Sequence, residues 1–397
     1  MQINRTTFLD ASAMALDFLE MDTLKVVTNH NRRIALISIK IGRELGLDDF
    51  ELSDLHVYAI FHDNGKSRFP TFGSSYIENT DMTGLRGHCI VGEKNLEGLT
   101  FFKKWNNIIL YHHEEFDGSG PFGIKGDAIP LFSQIIHLAD VSEVIYRNTE
   151  SKTAVIQNAE KNRNILFSEK ILDAFEKAQK KPAFWFGLET ENVRQEIILS
   201  APAILIPYDT KRILTITELL AKIIDGKSPF TCRHTSELAE KSVRMAEFYN
   251  FDSLKTDKFK IAADMHDIGK LAVPNKILEK PGPLTADEYF IMKRHTYLTR
   301  IMTSFTEGFS DISAWAWMHH ENLDGTGYPC GITGEEMPFE SQILAVLDKY
   351  QALTEDRPYR GSLSHVKALS ILRDLAKHGK INGAIVEDVD SVFSNDE

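Results

Sequence analysis

The sequence predicts an all-α protein built from two tandem helical bundles that arose by internal duplication. Three observations predict it. Apolar residues recur at helical spacing, two long histidine spacings each occur twice, and no alternating stretch is long enough for a substantial sheet.

Taken in order, Phe8, Leu16 and Leu19 begin one apolar stripe, and Val27, Ile34, Ile37 and Ile41 begin another. Ile216, Leu219, Leu220 and Ile223 open a matching helix in the second half. Glycine and proline concentrate in two similarly worded loops, Asp117 to Gly123 and Asp324 to Pro329. The repeat is the main organisational fact. His30 to His62 spans 32 positions, as does His234 to His266, and His88 to His112 spans 24, as does His295 to His319. Each copy carries His-Asp (His62-Asp63; His266-Asp267), then His-His-Glu (His112 to Glu114; His319 to Glu321), then a lone aspartate, Asp140 or Asp348. Phe167 to Leu172 closes the first copy. The join is expected near residue 205, between Ser200 and Pro207, giving domains 1–205 and 206–397.

Composition bounds the function. With 397 residues, 43% hydrophobic and 26% charged, the chain reads as an ordinary globular protein long enough for two or three domains. Its formal charge of -12 argues against a polymeric nucleic-acid partner or a membrane surface, both of which call for an excess of lysine and arginine. A small anion held by a local cluster of cations is compatible with it. Cys89, Cys232 and Cys330 form no CxxC pair and no even set, which points to a reducing cytoplasm and to idle or buried thiols. Acidic residues interrupt the apolar ones from Met1 to Asn29, so neither a signal peptide nor a membrane span is expected there.

Any one of these histidines taken alone is ordinarily a hydrogen-bonded core or surface residue. The set, repeated at matched spacing, reverses that judgement. His234, His266, Asp267, His295, His319, His320 and Asp348 are donors enough for two divalent cations sharing Asp267. Imidazole and carboxylate donors suit Fe, Mn or Zn, with Mg, Ni and Co also admissible. A metal pair of this kind activates water and stabilises the attacking and leaving oxygens of a displacement at phosphorus.

His266 to Lys270, followed by His319 to Pro329, resembles the HD-GYP family, a branch of the HD-domain phosphohydrolases. The likeness continues through Ile277 to Leu284 and Leu353 to Arg360, and covers most of residues 210–395. It implies an all-helical bundle with a two- or three-metal centre, often iron or manganese, and hydrolysis of cyclic di-GMP or cyclic GMP-AMP to linear dinucleotide and then mononucleotide. It also implies that the seven donors just named are the metal ligands. Lys270 would hold a phosphate oxygen, Tyr328 would sit on the binding loop, and Arg357 and Arg360 would grip phosphate or a guanine edge. Asp267 and Lys270 would stand closest to the chemistry. Phe230 stands where three-metal members carry glutamate, which favours two metals. Gln351 stands where the family commonly has an aspartate, which suggests tuning rather than loss.

The first half keeps a second ligand set, His30, His62, Asp63, His88, His112, His113 and Asp140, with Lys66 matching Lys270. It lacks the Tyr-Pro pair, and its loop is one residue shorter. Phe69 to Ser75 replaces the Lys-Pro-Gly loop, and Arg147 is the only cation near Asp140. It is similar to a divergent HD domain that could bind metal without turning over the family substrate, either as a regulatory or dimerising domain, the favoured reading, or as a phosphohydrolase with another substrate. The leading expectation is therefore a cytoplasmic cyclic-dinucleotide phosphodiesterase, active in its C-terminal half, with a homodimer as one admissible assembly. The alternatives are a nucleotide-sensing module with structural metals and a general nucleotide phosphohydrolase.

Overall fold

A computed structural model describes residues 5–24, 29–68, 82–99, 105–202, 210–228, 234–355 and 361–394. Arg357, Arg360, Phe230, Cys232, the Phe69 to Ser75 loop and most of the expected join lie outside the described residues. Among the described residues there are eighteen α-helices, short 3-10 turns and no strands. The only pairings of extended backbone among them are isolated bridges, Arg163 with Phe167 and Asp324 with Thr333. The chain divides into two compact units, Arg5–Ile206 and Pro207–Glu397.

In the first unit the helix His30–Glu44 is central. It packs against Asp49–Ile60, Leu131–Thr149, Glu169–Gln179 and Val193–Ser200. Ile34, Ile37 and Ile41 are fully buried along it, so the stripe read from the sequence is its core face. Burying each such side chain contributes about 1.5–3 kcal/mol. In the second unit Ser253–Met265 is central, between Thr210–Gly226, His234–Phe248 and Ser310–Trp317, with Phe259 and Ile261 wholly inside. Ile216, Leu219, Leu220 and Ile223 face that same core.

The two helices that deliver the His-Asp pairs begin alike. Asp48 accepts from the Glu51 backbone N–H at 2.8 Å, and Asp252 from that of Lys255 at 2.8 Å. Each aspartate satisfies a donor that the first helical turn would leave orphaned. The first of these helices stops two residues before His62 and the second at His266, and in each the backbone then tightens into a 3-10 turn, Asn64–Arg68 or Ile268–Ala272. Glycine is required in that turn. A Cβ on Gly269 would stand 1.9 Å from the His295 carbonyl oxygen, and one on Gly65 would stand 2.1 Å from that of His88. The helices carrying the third histidine can close on the His-Asp turn only where no side chain intervenes.

Candidate metal centre

In the second unit the donors come from separate elements. His234 opens the helix His234–Phe248, and His266 ends Ser253–Met265 with Asp267 directly after it. His295 lies in Ala286–Ser304, His319 and His320 in the 3-10 turn Met318–His320, and Asp348 in Phe339–Thr354. The buried carboxylate of Asp225 fixes the first of these by accepting from the Thr235 and Ser236 backbone N–H groups at 3.0 and 3.2 Å. Asp17 does the same for the first unit, accepting from the Asn31 N–H at 2.9 Å. Ser236 Oγ adds a bond to Asp225 at 2.8 Å and Asn31 Nδ2 one to Asp17 at 2.9 Å; neither aspartate stood out in the sequence, because backbone N–H partners leave no mark on residue identity.

Asp267 sits between two groups of donors. Its Oδ2 faces His266 Nε2 at 3.2 Å and His234 Nε2 at 3.8 Å; its Oδ1 faces His295 Nε2 at 3.5 Å and His319 Nε2 at 3.7 Å. Asp348 spans the same divide, with Oδ1 3.1 Å from His234 Nε2 and Oδ2 3.8 Å from His320 Nδ1. His295 and His319 bring their Nε2 atoms within 3.3 Å of each other. All seven residues read as ligands are therefore brought together.

The rings are aimed by their own helices. The Nδ1–H groups of His266, His295 and His319 each donate at 2.7 Å to the carbonyl three residues earlier, those of Ala263, Met292 and Ala316. That bond leaves Nε2 as the lone-pair atom pointing inward. His266 Nε2 and Asp267 Oδ1 are buried and make no hydrogen bond. Such atoms are costly in a protein interior unless something else satisfies them, and a divalent cation fits this donor set. Burial pushes His295 down to about 4 and holds His319 and His320 well below the usual histidine range, so these rings are neutral and keep a lone pair to offer. Burial also pulls His234 down, but its bonds to Asp348 and Glu355 outweigh that and leave it at about 9. Asp267 and Asp348 stay well below the ordinary carboxylate range. Burial raises both, but His266 and Lys270 at the first, and His234 and His320 at the second, overcome it.

Lys270 pairs with Asp267 Oδ2 at the edge of the cage. Tyr328 lies with its ring 5.0 Å from that of His320 and 6.4 Å from that of His295, and Tyr289 meets its edge at 6.2 Å. The glutamate of His-His-Glu turns away from the donors. Glu321 accepts from the Cys330 and Gly331 backbone N–H groups at 2.7 and 3.0 Å and so pins the loop that carries Tyr328. In the first unit Glu114 takes the N–H groups of Phe122 and Ile124, both at 2.6 Å.

The first unit repeats the cage. Asp63 Oδ2 faces His62 Nε2 at 3.1 Å and His30 Nε2 at 3.9 Å, and Oδ1 faces His88 and His112 Nε2 at 3.6 and 3.7 Å. His30 Nε2 is 3.6 Å from Asp140 Oδ1, and His113 Nε2 is 3.1 Å from His88 Nε2. Lys66 pairs with Asp63 as Lys270 does with Asp267. Pro121 occupies the place of Tyr328, and its carbonyl accepts from Arg86 Nε. Cys89 is buried beside this cage, whereas Cys330 is exposed.

The family model for the HD domain matches residues 17–158 and 218–385, one stretch in each unit. The chain is similar to 3'3'-cGAMP-specific phosphodiesterase 3 of Vibrio cholerae, at 34% identity over 87% of this chain and 86% of that protein. It is likewise similar to 3'3'-cGAMP-specific phosphodiesterase 1 of the same organism, at 28% identity over 94% of this chain and 88% of that one. A cyclic di-GMP phosphodiesterase of Thermotoga maritima is 37% identical over 36% of the chain. Among solved structures, that of the cyclic GMP-AMP specific phosphodiesterase V-cGAP3 of V. cholerae superposes with a TM-score of 0.68, at 24% identity, covering 99% of this chain and 98% of that one, which speaks for the fold. Matched by the HD-domain family in both of its halves and related along most of its length to these proteins, the chain belongs to the HD-GYP family of HD-domain proteins.

Proposed function

We propose that the C-terminal unit is a metal-dependent phosphodiesterase that opens a 3′,3′ cyclic dinucleotide, cyclic GMP-AMP or cyclic di-GMP, to the linear dinucleotide. The observation that carries this reading is the position of Asp267, one oxygen toward His234 and His266 and the other toward His295 and His319. Relatives spanning most of the chain are named for this activity, which supports it.

His234, His266, Asp267 and Asp348 would hold one divalent cation, and Asp267, His295, His319 and His320 the other, with Fe or Mn favoured. When bound, such a pair makes water a nucleophile at neutral pH and draws charge from the phosphoryl oxygens. The residues of the chain supply the rest. Lys270 offsets charge gathering on a phosphoryl oxygen, as a compact cation at the rim can. Tyr328 offers an aromatic face to a base. Arg357 and Arg360 are assigned to phosphate or a guanine edge on the strength of the motif.

The N-terminal unit keeps the donors without the tyrosine, so we assign it a regulatory or dimerising role. Residues 1–205 and 206–397 are taken as the two domains. The cysteine pattern favours the cytoplasm, and no helix among the described residues is long and apolar enough to cross a membrane. The test is purification without added metal, elemental analysis, and product identification from both cyclic dinucleotides side by side. The enzyme yields linear dinucleotide with Mn or Fe(II), and His266→Ala stops turnover while the fold, followed by circular dichroism, stays intact. Binding of either nucleotide with no turnover under any metal overturns the reading in favour of a sensor.

A further inference from the structure

The two units place a cation at the same point of the corresponding helix and use it differently. Lys293 stands two residues before His295, and Arg86 two residues before His88. In the first unit Arg86 Nε donates to the carbonyl of Pro121, and its guanidinium lies 5.8 Å from the centre of the Phe122 ring. That cation is spent on its own loop. In the second unit the ammonium of Lys293 lies 4.6 Å from the centre of the Tyr289 ring and 5.4 Å from that of Tyr328. Both distances are within the range over which a cation is drawn to an aromatic face. Among the described residues this ammonium makes neither an ion pair nor a hydrogen bond, whereas Lys270 and Lys280 of the same unit pair with Asp267 and Glu288.

Lys293 borders the opening of the cage. Tyr328, whose ring it approaches, brings that same ring 5.0 Å from His320. Tyr289 is 45% exposed and Lys293 half-buried, so the group meets solvent on one side and the metal-donor rings on the other. The tyrosine faces carry no net charge, so they hold the ammonium at the mouth without neutralising it. A compact cation kept in that state is suited to a phosphate oxygen. A 3′,3′ cyclic dinucleotide carries two phosphodiesters, and the cage with Lys270 can attend only one of them at a time.

We propose that Lys293, framed by Tyr289 and Tyr328, binds the second phosphodiester of the ring, the one that is not cut. It is a specificity residue: it rewards a substrate with two phosphodiesters over one with a single phosphodiester. The N-terminal unit lacks this subsite because Arg86 is tied to Pro121. The proposal rests on the reading of the C-terminal unit as a cyclic-dinucleotide site.

The experiment uses the full chain loaded with Mn2+ and the variants Lys293→Met, which keeps the bulk and removes the charge, and Lys293→Arg. Steady-state rates are compared on cyclic GMP-AMP, cyclic di-GMP and bis(4-nitrophenyl) phosphate, which has one phosphodiester. Lys293→Met should raise KM for the cyclic dinucleotides about tenfold or more, with the loss falling on KM rather than kcat. Its loss on bis(4-nitrophenyl) phosphate should be about tenfold smaller. Lys293→Arg should recover most of the affinity, and added salt should narrow the gap between parent and Lys293→Met. Equal losses on all three substrates overturn the proposal, because they place Lys293 at the scissile phosphate or in the support of His295. An unchanged KM overturns it too. A hydrolysis-resistant bis-phosphorothioate cyclic dinucleotide, followed by calorimetry, separates this from the activity itself. Binding that weakens about tenfold in Lys293→Met, in a chain that turns nothing over, sustains the subsite and overturns the phosphodiesterase reading. Binding that Lys293→Met leaves unchanged overturns the subsite alone, and no binding by the parent overturns both.

Discussion

His234 Nδ1 lies 2.9 Å from Glu355 Oε1, whereas its counterpart in the first unit, His30 Nδ1, lies 2.6 Å from Glu143 Oε2. The two carboxylates are not at equivalent positions. Glu143 follows the terminal ligand by three residues and Glu355 by seven, one helical turn further along. Gln351 fills the nearer place in the second unit and donates to Glu355 and Glu237 at 3.3 and 2.8 Å. In the first unit Arg33 and Arg147 stand 3.3 and 3.6 Å from Glu143. Each first histidine keeps an acidic partner, but the charges around that partner have been exchanged.

This pair sets a pH dependence for metal uptake. With His234 raised from 6.5 to about 9 by its acidic neighbours against the pull of burial, an incoming cation must displace its proton. Apparent metal affinity should rise about tenfold per pH unit from roughly pH 6.5 and level off near pH 9. Glu355→Gln should bring that plateau to lower pH, as a competition titration would read. For the metal-free protein, a folded value above the unfolded one adds stability below pH 6.5 that is lost as pH rises through about 9.

Gly269→Ala should cost about 1–3 kcal/mol or more and abolish turnover, because the His295 carbonyl is backbone and cannot swing aside. Gly65→Ala should destabilise the first unit similarly against His88. Gly282→Ala is the control, since a Cβ there meets nothing within 4 Å. Denaturant unfolding of the three variants checks it, and equal stabilities would contradict the packing described.

Tyr328→Ala should raise KM about five- to 150-fold, the loss of one base–aromatic stack of about 1–3 kcal/mol, and Tyr328→Phe should remain close to the parent. Glu321→Ala, which frees the loop without touching the ring, should raise KM about tenfold. Steady-state kinetics on both cyclic dinucleotides separate these effects from losses in kcat.

Asp264 is buried under the donors, bonded to Thr217 Oγ1 at 2.8 Å and Lys260 at 3.4 Å, and burial pushes it up to about 6. A carboxyl raised from 3.8 in this way costs stability progressively as pH climbs from about 4 to about 6. Asp264→Asn should therefore gain on the parent across that interval, by at most about 3 kcal/mol at pH 7. Lys260 retains Glu218 at 2.8 Å in the variant. Parallel unfolding curves at pH 4 and pH 7 test the sign.

The candidate donors were legible because the spacing of the histidines was duplicated; the helical stripes were legible because Ile34, Ile37, Ile216 and Ile223 follow the helical period. The supporting carboxylates were not. Asp17, Asp225, Glu114 and Glu321 bind backbone N–H groups, which leave no trace in residue identity, and Glu355 lies one turn away from where the family pattern directs attention.

His62, His112, His266, His295 and His319 each take their orientation from a carbonyl three residues back in their own segment. The aim of a donor is thus inherited with a few neighbouring residues and needs no distant partner to maintain it. After duplication, the loops at the mouth could drift freely while the interior geometry was copied intact, so the same arrangement of rings stands in both units although Pro121 replaces Tyr328 at one mouth.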